Sequence, residues 1–459
     1  MKRCLILGLA LLSGCIAFAA DVVPPRPRPN KALAARIKDE STEVFGIVHW
    51  GLNTYTDREW GYGDENPQML NPASFDADQI VGACKAGGLG GLVVVAKHHD
   101  GFCLWPTKAT DHNITKAPFR GGKGDYIREM EKACRKAGLK FGVYVSPWDR
   151  NSAKYGSPEY VTDVFQQQIR ELLSGEYGEI FEMWFDGANG GDGWYGGAKE
   201  RRNIPKGYYR YETETFAMVR SLQPKVCIFG DGGEFRWPRN ERGFLCEESR
   251  ATTYPGNGQY LNSGHPSGTV FQVAEADFPL RRGWFYHARD DGHSRCGEFL
   301  MKLYLSSVGN GGVMDIGIAP NKEGRLSDED AKKLARFGQI RKEFFANPVK
   351  PGSGKPFNVV VMKEKLSKGE QVDAWEFVAD GKVLLSGKSI GLKRIRVLPE
   401  PVTASKCEIR VLADGGNLVG TDFRCYYVEP KLLNRVMNAT TENGETDTAQ
   451  WMQGLKKHE

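Results

Sequence analysis

Residues 92–100 read Leu92-Val93-Val94-Val95-Ala96-Lys97-His98-His99-Asp100. Five apolar, mostly β-branched residues in an unbroken run suit a strand buried on both faces, as in a parallel sheet. The polar residues that follow then stand at the strand's C-terminal end. The same arrangement recurs along the chain. Phe45-Gly46-Ile47-Val48 ends at His49, Phe141 to Ser146 ends at Pro147-Trp148-Asp149, Ile180 to Phe185 ends at Asp186, and Val226 to Phe229 ends just before Asp231. Helical patterns lie between the runs, such as Tyr126 to Ala137 closed by Gly138, and Val161 to Leu173. Strand and helix alternating over about 300 residues predict an α/β fold, a (β/α)8-like TIM barrel over residues 41–345. In such barrels the C-terminal strand ends carry the active site. His49, His98, His99, Asp149 and Asp186 all fall there.

Around Phe344 to Pro351 the pattern changes. From Asn358 to Val428 short runs such as Val359-Val360-Val361-Met362 and Ile395-Arg396-Val397-Leu398 are separated by turn signals such as Asp380-Gly381 and Asp414-Gly415-Gly416. This predicts a C-terminal antiparallel β-sandwich over 346–430, with a loose polar tail over 431–459. No repeat at solenoid periods is present.

A length of 459 residues is too great for one ordinary core and fits two domains. The formal charge of +5 is small and scattered, and no basic run is interleaved with aromatics, so nucleic acid is not expected as a partner. Residues 1–20 read as a signal peptide for export: Lys2 and Arg3 precede the apolar stretch Leu5 to Leu12, which is too short to span a bilayer. Two cleavage readings compete. Ala17-Phe18-Ala19 has the small-x-small pattern, and Leu12-Ser13-Gly14-Cys15 has the form of a lipobox that would leave a lipid anchor at Cys15. The expected location is periplasmic or extracellular, with no membrane-spanning segment. Residues 21–40, with Pro24-Pro25-Arg26-Pro27-Arg28-Pro29, read as an extended linker. Eight cysteines follow the leader without a C-x-x-C pair or a dense framework, which favours buried thiols over disulfides.

Asp186 lies in Met183-Trp184-Phe185-Asp186-Gly187-Ala188-Asn189-Gly190. A carboxylate after an aromatic strand and before a glycine loop is firmly held yet approachable. Retaining glycosidases need such a nucleophile and a second carboxyl as acid/base, about 5–5.5 Å away; capping of the next helix is the competing role. His98-His99 invites a metal, but neighbours on a strand point to opposite faces, and no zinc-type spacing is present. His49, His98 and His99 with Trp50, Trp60 and Trp105 suit a sugar better, since imidazoles bond hydroxyls in both directions and indoles offer flat apolar faces. There is no G-x-S-x-G, and the glycines at 87–91 precede a strand instead of following one, which disfavours serine hydrolases and dinucleotide binding.

Phe45 to Gly51 (FGIVHWG), Glu59-Trp60-Gly61, Lys97 to Trp105 (KHHDGFCLW), Gly142 to Asn151 (GVYVSPWDRN), Trp184 to Asn189 (WFDGAN), Gly283 to His287 (GWFYH) and Ser306 to Pro320 (SSVGNGGVMDIGIAP) together resemble glycoside hydrolase family 29, the α-L-fucosidases. The likeness is greatest to the branch with the S-P-W-D-R-N motif. It implies a retaining α-L-fucosidase without a cofactor, acting on fucosylated oligosaccharides or polysaccharides, with α-1,3 or α-1,4 branches favoured. Carried over residue by residue, Asp186 matches the nucleophile, while His49, His98, His99, Glu59, Trp60 and Tyr144 match the fucose pocket. Trp148 and Asp149 lie in the same motif, and Trp284 would face the sugar's C5 methyl. Arg236-Trp237-Pro238-Arg239-Asn240-Glu241 fits the branch's acid/base segment, making Glu241 the acid/base, with Glu247, Glu248 and Glu275 in reserve. Pro238 and Arg239 depart from the usual valine–glycine pair beside the leaving-group side. Rival readings are an α-L-galactosidase on the same scaffold, or a non-catalytic fucose-binding protein.

Overall fold

The computed structural model describes residues 25–187, 190–205, 212–256 and 258–440. The leader (1–20) with its two cleavage readings, Ala188-Asn189 and the tail beyond Thr440 lie outside the described residues.

Eight parallel strands form the barrel: β1 (Val44–Val48), β2 (Gly91–Lys97), β3 (Lys140–Val145), β4 (Glu182–Trp184), β5 (Cys227–Phe229), β6 (Phe235–Arg236), β7 (Val273–Pro279) and β8 (Val313–Ile318). Each bonds to its neighbour in chain order, and β8 returns to β1 with Val44 opposite Met314, closing the ring. β1 and β2 are buried at every position. Strand alternation sorts them into two cores. Val44, Val48, Leu92, Val94 and Val143 face outward beneath helices. Phe45, Ile47, Val93, Val95 and Tyr144 fill the barrel.

A short helix α1 (Lys31–Arg36) precedes the barrel, and α2 (Ala77–Ala86), α3 (Tyr126–Ala137), α4 (Gln166–Leu173), α5 (Glu212–Leu222), α6 (Gly297–Ser307) and α7 (Asp328–Phe344) wrap it. α3 starts where the Asp125 carboxylate accepts the Arg128 amide and stops at Gly138, whose φ of 75° suits only a residue without Cβ. The helix expected over 161–173 is present: it begins a turn earlier at Pro158–Tyr160 and carries a wide π turn at Val161–Phe165 before α4. No helix joins β5 to β6, which are linked by a tight turn. The β6–β7 connection carries a two-stranded sheet, Thr252–Thr253 with Val270–Phe271.

Past Phe344 the chain forms β9 (Pro348–Val349), β10 (Phe357–Glu364), β11 (Val372–Ala379), β12 (Lys382–Gly387), β13 (Arg394–Val402), β14 (Cys407–Asp414) and β15 (Thr421–Tyr426). They make two antiparallel sheets, β9-β15-β10-β13 and β12-β11-β14, around Phe357, Val360, Met362, Trp375, Phe377 and Leu398. Of the eight cysteines, Cys84, Cys103, Cys134, Cys227 and Cys425 are buried thiols, Cys296 and Cys407 are half-buried, and Cys246 is exposed.

Two expectations are corrected. The tail opens with an ordered helix, α8 (Pro430–Met437), because Leu432, Leu433 and Val436 recur at helical spacing and bury against the barrel's outer core. The linker is not a free spacer. Arg26 donates to the Asp373 carboxylate (3.1 Å) and to the Glu370 and Gln371 carbonyls, and α1 sets Leu33 and Arg36 into the barrel floor. A guanidinium that finds a carboxylate and two carbonyls outweighs the extended bias of the prolines.

The sandwich grips the barrel at several places, among them residues 247–252. Buried Arg394 donates to the carbonyls of Ser389 (2.9 Å), Glu247 (3.0 Å) and Ser249 (2.8 Å). Glu370 accepts the amides of Ala251 and Thr252, and Glu248 those of Lys388 and Ser389. Residues 247–252 follow directly on the loop that carries Glu241. Replacing Arg394 with Met should leave the Ser249 carbonyl without its donor, while Ser389 keeps Trp375 Nε1 and Glu247 keeps Arg396, and should lower unfolding stability by about 1–3 kcal/mol, measured as a shift in the urea midpoint.

Candidate functional site

The barrel's C-terminal mouth gathers the polar residues. Asp186 stands just past β4, with about a quarter of its side chain (24%) reachable by solvent. The Tyr144 hydroxyl, projecting inward from β3, donates to its Oδ2 at 2.7 Å. Burial, reinforced by the Asp186 charge, pushes the Tyr144 phenol well above its ordinary range, so it keeps the proton it donates.

His98 and His99 follow the end of β2, so the alternation expected for a strand no longer separates them. Their rings lie 4.1 Å apart, which corrects the opposite-face expectation. Among the described residues no group of three His, Cys, Asp or Glu side chains could hold a metal ion. His99 is lowered to about 4, chiefly by burial, and the Asp186 charge offsets this only in part. Its Nδ1 lies 2.6 Å from Ser146 Oγ, and that hydroxyl donates to the Trp148 carbonyl at 3.0 Å. His99 Nε2 lies 3.9 Å from Asp186 Oδ2. Asn53 Nδ2 lies 3.4 Å from His98 Nδ1 and can donate to it, which leaves the His98 Nε2 to carry the hydrogen. Burial holds His98 well below its usual range. His49, lowered to about 3 by burial, packs against the Trp284 ring at 5.1 Å. Three neutral imidazoles thus offer both kinds of hydrogen-bonding atom to hydroxyl groups.

Aromatic rings line the rest. Trp148 lies tilted against His99 at 4.9 Å, and its Nε1 donates to Tyr195 OH. Trp60 is 43% exposed at the rim, edge-on to His99 and Trp148. Trp284 rests over Gly317, where a Cβ would come within 2.8 Å of the indole. Glu59 does not face the cavity alone. It clamps the Trp284 loop by accepting the amides of Trp284 (2.9 Å) and Phe285 (3.2 Å) and the His287 Nε2–H (2.6 Å). His287 Nδ1 lies 2.6 Å from Asp57. Burial alone would lower its pKa, but the two carboxylates outweigh burial and raise it.

Glu241 reaches the site from the loop after β6. Trp284 Nε1 donates to its Oε2 at 3.2 Å. Its carboxyl is raised to about 7, mainly by burial; the Trp284 bond opposes this, and the charges of Asp186 and Glu59 add to it. Behind it Asp277, from β7, is buried and raised by burial and by Glu241, and it accepts a bond from Trp237. Deeper in the barrel Glu182, Glu275 and Asp315 are likewise buried and raised, first by desolvation. Arg36 lies 3.6 Å from Glu182.

Several expected site residues sit elsewhere. Asp149 is spent on structure: it pairs with Lys97 (3.2 Å) and accepts the amides of Asn151 (3.0 Å) and Ser152 (2.8 Å). Trp50 lies outside the barrel wall against Phe75 and Tyr126, and Trp105 donates to Glu171. Among the reserve acids, Glu247 is exposed and pairs with Arg396 (3.5 Å), and Glu248 holds sandwich amides. Glu275 is sealed under Trp184, which donates to it at 2.8 Å. Sequence reasoning assigned no role to Asn53, Ser146, Arg150, Asp277 or His287. Ser146, Arg150 and His287 stood inside motifs already singled out; buried Arg150 packs on the Trp148 ring at 4.4 Å and donates to the Gly61 carbonyl.

The α-L-fucosidase family model matches residues 32–343. Alpha-L-fucosidase 1 of Arabidopsis thaliana is 33% identical over 342 residues, covering 72% of this chain and 65% of the plant protein. The chain thus spans less than two thirds of the length of the plant relatives it matches. The crystal structure of a glycoside hydrolase 29 family member from an unknown rumen bacterium has a TM-score of 0.79 and 36% identity, covering 88% of this chain and 78% of the other. With the barrel closed, the two carboxyls at its mouth and the family model running almost its whole length, the chain belongs to the α-L-fucosidase family, glycoside hydrolase family 29.

Proposed function

We propose that the protein is an exported, retaining α-L-fucosidase with Asp186 as nucleophile and Glu241 as acid/base. The observation that carries this reading is the contrast between the two carboxyls. Asp186 accepts a short bond from a phenol that keeps its proton, so the phenol meets it as a donor. Glu241, raised to about 7, is ready to give a proton at neutral pH. Asp186 attacks the anomeric carbon of the fucosyl unit while Glu241 protonates the departing glycosidic oxygen, so one carbon–oxygen bond forms as the other breaks. Glu241, now a carboxylate, takes a proton from water, whose oxygen attacks the same carbon and frees Asp186. Two inversions leave the configuration retained.

His98 and His99 would bond the sugar hydroxyls, and Trp284 would take the apolar C5-methyl side. The Pro238-Arg239 substitution does not argue for a mere binding protein, since Glu241 still meets Trp284. Export rests on the leader, with either cleavage reading. A preference for α-1,3 or α-1,4 branches rests on the likeness of residues 146–151 to one branch of the family.

Asp186→Ala should abolish release of fucose from an aryl α-L-fucoside, and added azide should restore part of the rate by filling the vacated space; full activity in the variant would refute the nucleophile role. Because Glu241 acts in its protonated form, kcat/KM should be level below about pH 7 and fall roughly tenfold per unit above it. Glu241→Gln should remove that alkaline limb and slow cleavage of unactivated glycans by about 10²–10⁴. A limb that persists in the variant belongs to another group.

A further inference from the structure

Arg239, at the tip of the loop between Trp237 and Glu241, holds φ at 61°, in the left-handed region that only glycine enters without cost. The residue is exposed, so no surrounding core forces that conformation. Its guanidinium reaches across to the turn Gly258–Tyr260, where a Cβ on Gly258 would collide with Nη1. Among the described residues it makes no ion pair. Arg242, one residue beyond Glu241, adds a second cation to the same loop. Around them the surface is aromatic: Trp237 and Phe244 are each 39% exposed, and Tyr254, Tyr260 and His265 cluster with ring centres 4.7–5.8 Å apart.

The position of this ledge gives it meaning. If Glu241 protonates the departing oxygen, the group that leaves must lie on Glu241's side of the cavity, against this loop and turn. We infer that the ledge is the leaving-group subsite and that it selects an anionic saccharide, one bearing a carboxylate or a sulfate ester near the fucosylated position. This rests on the fucosidase reading above. The guanidinium offers a planar fork that matches either anion, and the rings offer a face for the pyranose. A strained, exposed cation without a counter-ion is accounted for when the ligand supplies the counter-ion.

The test compares four fucosides: one of galacturonate, one of galactose, one of 6-sulfated N-acetylglucosamine and one of its unsulfated form. The enzyme should favour each anionic member of a pair by about three- to tenfold in kcat/KM, a ratio that shrinks as salt rises. The uronate and sulfate arms show which anion is read. Arg239→Gly should level the ratio while raising or preserving Tm, because the strain goes with the charge. Arg239→Lys should keep part of the preference, since it retains the charge without the fork. Equal rates on neutral and anionic partners, or a ratio that survives in Arg239→Gly, would overturn the inference. Calorimetric binding of the same four compounds to Asp186→Ala reads the preference without turnover. A chain that binds anionic fucosides selectively but releases no fucose would defeat the fucosidase reading and spare the subsite; turnover without selectivity would do the reverse.

Discussion

Closing eight parallel strands into a ring leaves little choice about where chemistry can happen. Side chains within the strands are packed either under the helices or into the barrel's interior, and both sets are buried. A polar residue that must be rigid and yet meet a solute has to stand past a strand end. His49, His98, His99 and Asp186 stand one or two positions past it, while Glu241 and Trp284 come in on the longer loops after β6 and β7. Even the pairing of His98 with His99 follows, because the pleat that would part them ends at Lys97.

The same closure governs the electrostatics. Four carboxyls (Glu182, Glu275, Asp277 and Asp315) face a space that water does not reach, and Arg36 is the cation set against Glu182. Desolvation raises all four, and the charges of neighbouring carboxyls add to it. At the mouth, the balance shifts by a few ångströms of exposure and by one donor. Asp186 has the Tyr144 hydroxyl; Glu241 has an indole and two acidic neighbours. The contrast in environment lets two carboxyls of one cavity take different roles.

Much of this was legible in the sequence, and the reason is local. Unbroken apolar runs mark strands buried on both faces, and Tyr126 to Ala137 shows a helix whose stop, Gly138, needs only its own φ. The polar residues after those runs could therefore be assigned to one end of the barrel. What escaped depends on partners far along the chain. Asp149 looked like a ligand because its claim on Lys97 spans 52 positions. The hold of Glu59 on the Trp284 loop, which has no local trace, spans more than 220. Trp50 reads like Trp60 until packing sends one to the core and the other to the rim. The proline-rich linker was misjudged for the same reason, since its tie to Asp373 has no local trace.

That tie has a bearing on how the molecule comes into being. Arg26 meets residues 370–373, Arg36 reaches Glu182 in the barrel floor, and Lys393 pairs with Glu40 and Glu43. The first described residues are thus clasped by some of the last. On the ribosome, the floor of the barrel cannot be sealed until most of the chain has emerged, and until then a partly wound sheet with an open edge must wait. With contacts this distant in sequence, folding is expected to be slow and to lean on chaperoning, and the final clasp then slows the way back.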